Sequence, residues 1–153
     1  MPREHASIKM ELDELRSFLD SDVRCVVATM GAGDRPWADA AAYVFEGDRL
    51  YFSIFTSTRT FENIAHDARV CCVVEAKPED SSYYDIKGAM LHGIAQPIGG
   101  DAIHVHERLA ALSDPLEPER QGERAVFSVG LDDSTSFSFD KIQYRYEDRS
   151  LET

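Results

Sequence analysis

Thr56, Ser57, Thr58, Arg59 and Thr60 bring four hydroxyls and one guanidinium together where a β-rich run gives way to a helical one. A phosphate dianion is held best by a basic side chain, hydroxyl donors and the backbone N–H groups of a helix N-terminus. The stretch has the composition of a phosphate cradle. It also has the composition of an ordinary Ser/Thr helix cap beside a solvated arginine. Upstream, Trp37 is followed by Ala38, Asp39, Ala40, Ala41 and Ala42. Alanines at these positions would let a flat ring approach a strand backbone, and they equally suit a tightly curved barrel.

The remaining reactive side chains point less firmly to chemistry. His104 and His106 stand two apart on an expected helix, so they diverge and make a poor metal pair. His66 falls at a helix end, where the dipole favours it. His92, on a strand beside Gly93, could ligate haem or donate a proton, or be a structural histidine. Tyr83 and Tyr84, with Trp37, could stack on a ligand or cover an interface. The cysteines are odd in number: Cys25, Cys71 and Cys72, the last two adjacent and hence on opposite faces of a strand. No zinc spacing, HExxH motif, Walker loop or paired-glutamate spacing occurs. Free thiols and the lack of an apolar leader point to the cytoplasm.

The net charge is −12, from 16 basic and 28 acidic side chains. Such a chain repels phosphate backbones and anionic lipid, so neither nucleic acid nor a membrane surface is an expected partner. A phosphate-bearing ligand must then be gripped by a local device. The 153 residues fit a single domain, with no linker or repeat to divide 1–153.

The elements that would position these groups follow from periodicity. Ile8, Leu12, Leu15 and Leu19 mark an amphipathic helix ending near Asp20–Asp22. Val23–Met30, Pro36–Phe45 and Arg49–Phe55 are strands joined by tight turns, hence an antiparallel meander. A short helix over Thr58–His66 precedes a central strand at Arg69–Ala76. Lys77–Asp85 is a polar loop and Ile86–Ile98 a strand, with Gly88 and Gly93 marking bulges or close approaches. Ala102–Leu112 is a helix and Asp114–Gly122 a loop, and the closing strands are Arg124–Leu131 and Ser134–Tyr146. Six or seven short-turned strands favour closure into a barrel.

In this order the motifs resemble the pyridoxamine 5′-phosphate oxidase-like, FMN-binding split-barrel family. The resemblance runs through Val27-Ala28-Thr29, Gly33-Asp34-Arg35-Pro36, the hairpin Glu46-Gly47-Asp48-Arg49-Leu50-Tyr51-Phe52, the turn Thr56–Thr60, and Asn63 to Val70. His92-Gly93-Ile94-Ala95 and Ser136 to Ile142 continue it. It departs where many relatives have a lysine and a further basic residue; here those are Thr60 and Glu62, and Ile54 replaces a frequent threonine.

The resemblance implies a mainly β fold: a six- to seven-stranded antiparallel split β-barrel with an N-terminal helix and two short helices. It implies a homodimeric FMN-dependent oxidoreductase acting on a small molecule, with two sites at the subunit interface. Arg59 and the Thr56, Ser57, Thr58, Thr60 turn would hold the phosphate, while Trp37, Ala38, Ala40, Ser53 and Phe55 would flank the isoalloxazine. A flavin carries the hydride chemistry itself, which accounts for a sequence without a dedicated acid, base or nucleophile. The other expectations are a deazaflavin, which would want more basic residues, a haem protein with His92 as ligand, or a scaffold without cofactor.

Overall fold

A computed structural model describes residues 8–100, 102–112 and 122–141 of the chain. The elements in chain order are α1 (Leu12–Asp20), β1 (Arg24–Gly31), β2 (Arg35–Glu46), β3 (Arg49–Phe55), α2 (Arg59–His66), β4 (Arg69–Ala76), β5 (Lys87–Ile94), β6 (Gln96–Pro97), α3 (Ile103–Leu112), β7 (Arg124–Gly130) and β8 (Ser134–Ser138). The eight strands pair antiparallel in the order β6-β7-β3-β2-β1-β4-β5-β8. Because β6 follows β5 after one residue and pairs with β7, the sheet curls back on itself into a split barrel.

Turn chemistry sets the registers. At the β2–β3 turn Gly47 and Asp48 both have positive φ, 58° and 59°, the twist that a two-residue hairpin requires. Asp48 is then fixed by Arg16 of α1, whose Nε and Nη2 donate to its carboxylate at 2.9 and 2.8 Å. From these registers Cys25, Val27, Tyr43, Phe52, Leu50, Cys72, Val74 and Leu91 face inward into one core. Leu15, Phe18 and Leu19 of α1 cover it at one end, and Phe61 and Ile64 of α2 pack against it.

Some expectations shift in detail. The first helix starts at Leu12, so Ile8 precedes it, and Leu12 is exposed while Phe18 joins the buried face. The Ile86–Ile98 run divides at Ala95, whose N–H donates to the Ala68 carbonyl. On one side β5 lies along β8, and β6 then pairs with β7, which raises the strand count to eight. The last strand ends at Ser138 rather than Tyr146; residues 142–146, and 113–121 of the expected loop, lie outside the described residues. Gly93 pairs regularly with Val70 and has open space around it. Gly88 is different: a Cβ there would meet the Phe137 ring at 2.4 Å.

The outer surface of the sheet is unevenly covered. Val105 and Leu109 of α3 pack on Val44 and Val126, shielding part of β2, β3 and β7. Across β2, β1, β4 and β5 no described element packs on the outward row Ala40–Val26–Val73–Met90, with Val26 42% and Met90 38% exposed. The parallel row Ala38–Ala28–Cys71–His92 lies beside it.

Candidate functional site

The β3–α2 junction forms as its residue types dictate. Thr58 is the N-cap of α2: its hydroxyl accepts from the Phe61 N–H at 3.3 Å and donates to the Phe55 carbonyl at 2.7 Å. Thr56 donates to the Glu123 carbonyl at 3.3 Å. Thr60 is fully buried and donates to the Asp39 carboxylate at 3.3 Å. Three of the cradle hydroxyls are therefore engaged by the protein, and Ser57, exposed, has no partner among the described residues.

Arg59 lies over the Trp37 ring, 4.8 Å from its centroid, and has no carboxylate partner among the described residues. A ring under a guanidinium orients it while leaving its N–H edge open. With Arg35, Trp37, Glu62 and Asn63 it lines a pocket of about 590 Å³. Below that pocket the Asn63 side chain donates to Thr29 at 3.1 Å, tying α2 to β1.

Strand alternation separates the ten expected site residues. Trp37 is paired with inward-facing Thr29, so it points toward α2 with Arg59 and Thr60, while Ala38 and Ala40 face the uncovered outer surface. Every residue from Arg35 to Ala40 is exposed, although the strand is fully paired with β1. Ser53 and Phe55 also face outward; Ser53 lies beside α3, and Phe55 lies under Arg124. Ser53 lines a second pocket, of about 380 Å³, with His106, Leu109, Ala110, Arg124 and Val126.

Arg124 was not singled out from the sequence. The register Phe55↔Arg124 places its guanidinium 4.4 Å from the Phe55 ring centroid, and it too has no carboxylate partner among the described residues. The available signal was weak: a basic residue opening a strand, whose partner strand periodicity alone does not reveal. Asp39, which accepts from Thr60, carried no signal in the sequence that tied it to the turn.

The Glu46 cluster points to structure. Glu46 is held below its ordinary range by hydrogen bonds from His104 and Arg108. Burial pushes the Cys71 thiol up, and a hydrogen bond with Cys25 together with burial does so for Cys72. Neither thiol is primed as a nucleophile. No cluster of three or more metal-ligating side chains occurs among the described residues.

Residues 12–132 match the sequence pattern of the pyridoxamine 5′-phosphate oxidase family. The chain belongs to that family. The pyridoxamine 5′-phosphate oxidase fold also recurs in solved structures. A conserved hypothetical protein from Mycobacterium tuberculosis superposes with a TM-score of 0.72 at 20% identity, over 92% of each chain. A FAD and heme binding protein from Mycobacterium smegmatis gives 0.66 at 18%, over 90% of this chain and 80% of that one. A FAD-binding protein from Mesorhizobium loti gives 0.68 at 15%, over 84% and 94%. No curated protein matches the chain in sequence. At these identities the likeness concerns the fold, a mainly β split barrel whose relatives include flavin and haem binders. No described helix is long and apolar enough to cross a membrane.

The donor set fits an anionic cofactor tail. It comprises the open edge of Arg59, the Ser57 hydroxyl and the Arg59 N–H at the start of α2, which has no acceptor among the described residues; the Thr60 N–H is buried with its side chain.

Proposed function

We propose that the protein is an FMN-dependent oxidoreductase for a small molecule, working as a homodimer whose second copy completes each cofactor cleft. The observation that carries this reading is the first half of β2, Arg35–Ala40, exposed along its whole length beside Arg59, which has no carboxylate partner among the described residues. A strand so well paired and so poorly packed is a surface awaiting a partner. The outward row of Ala40, Val26, Val73 and Met90 continues that surface across four strands, an apolar face suited to a second copy.

In this reading the Arg59 guanidinium and backbone N–H and the Ser57 hydroxyl bind the phosphate, Trp37 holds Arg59 in position, and Thr58 fixes the turn through its two hydrogen bonds. Ala38 and Ala40 present a flat strand surface to the ring, with Phe55 at its edge. Thr56 and Thr60 act by tying the turn to Glu123 and Asp39. The chemistry supplied by bound FMN is hydride transfer; the chain binds, orients and excludes water. The family match and the flavin-binding relatives support this assignment.

Haem is the second reading, favoured by the position of His92 on the uncovered face, opposite Cys71. A Soret band in place of flavin bands would select it.

The test is an equilibrium FMN titration followed by quenching of flavin fluorescence, comparing wild type with Arg59→Ala. The expected result is a dissociation constant at least about ten-fold higher in the variant, about 1.4 kcal/mol. An unchanged constant removes Arg59 from the site.

A further inference from the structure

Among the described residues, the buried polar side chains of this barrel are paired, with one exception. Asn63 donates to Thr29 at 3.1 Å, Arg49 to Ser128 at 3.0 Å and Thr60 to Asp39 at 3.3 Å, while Ser138 bonds Asp140. Ser53 is 7% exposed and has no partner among the described residues. Its place is the wall of the pocket of about 380 Å³ between α3 and strands β3 and β7. A buried hydroxyl without a partner is costly unless something in the pocket bonds it.

The rest of the lining is consistent in kind. Arg124 is held over the Phe55 ring at 4.4 Å and has no carboxylate partner among the described residues, in a chain with 28 acidic side chains. Its planar fork matches a carboxylate with two parallel hydrogen bonds. His106 is fixed by its Nε2 on the Gly99 carbonyl at 3.2 Å. Leu109, Ala110 and Val126 supply an apolar wall.

We propose that this pocket binds a small organic carboxylate, with Arg124 and the Ser53 hydroxyl holding the carboxylate and the α3 side receiving an apolar body. One guanidinium balances one negative charge, so the donor set suits a monoanion better than a phosphate dianion. The pocket's volume falls within the range of small-molecule sites. Ser53 is paired with Ala42, two residues along β2 from Ala40, so the pocket adjoins the strand surface assigned above to the cofactor ring. That the bound acid is the substrate rests on the flavin reading; that it binds does not.

The experiment is calorimetric titration of the full chain with sodium benzoate, with benzyl alcohol and inorganic phosphate as comparison probes. Benzoate is expected to bind at least about ten-fold more tightly than either. Arg124→Met should weaken it by about ten-fold or more and Ser53→Ala by several-fold. Arg16→Gln, which removes a positive charge from the Asp48 pair at the far hairpin, should leave it unchanged. The proposal is overturned by no benzoate binding in wild type, by equal affinity in Arg124→Met, or by a preference for phosphate. FMN titrations on the same proteins separate the two readings. Benzoate binding without FMN binding defeats the cofactor assignment alone, and FMN binding without benzoate binding defeats this one alone.

Discussion

Tyr43 is fully buried on β2, and its hydroxyl donates to the Leu19 carbonyl at 2.6 Å. Burial pushes the phenol well above its ordinary value, so it remains a donor at all working pH. Tyr43→Phe removes the last-turn tether of α1 and should lower stability by about 1 kcal/mol in urea unfolding. A loss near zero would mean that water replaces the hydroxyl there. Thr58 carries two hydrogen bonds at the start of α2, so Thr58→Ala should also lower stability, by about 1 kcal/mol. Equal unfolding midpoints for Thr58→Ala and wild type would show that the cap contributes nothing. The cap of α2 was legible from residue types alone. The engagement of Thr56, Thr60 and Trp37 was not, because each depends on a partner 20 or more residues away that no local pattern names.

At the scale of elements, the α2–β4 connection shows a charge device. Arg69 hydrogen bonds to Asp67 hold its carboxyl at about 2, against an ordinary 3.8, helped by the Arg69 backbone N–H. Because the folded value is depressed, this stabilisation is complete above about pH 4 and is lost as pH falls through 2. Acid unfolding of Asp67→Asn should lack the part of the stability loss that wild type shows between those limits. Coincident acid profiles would contradict it. The strands were legible where turns bracket them: Glu46–Arg49 closes the β2–β3 hairpin as expected. The division at Ala95 was hidden, since it arises from a switch of neighbour, β8 to β7, rather than from any break in hydrophobicity. Likewise, α3 was recognisable as a helix, but not that it shields Val44 and Val126 on the outside of the barrel.

For the whole molecule, the outward face of β2, β1, β4 and β5 is an apolar surface that no other described element covers. Val26 and Met90 are apolar and exposed in the same row, with Ile94 56% exposed nearby. If a second copy covers them, Val26→Arg should convert a dimer to a monomer in sedimentation velocity while leaving the circular dichroism spectrum unchanged, because the side chain already faces outward. A monomeric wild type would contradict the pairing. The family was legible from the order of its motifs. The location of the site was only partly so, because strand alternation sends Trp37 and Ala38 to opposite faces and brings in Arg124 from the far end of the chain. The most direct test of the cofactor assignment is the visible absorption spectrum of the protein after incubation with FMN and removal of free flavin. The account predicts two retained flavin bands at close to one FMN per chain; a colourless protein would contradict it.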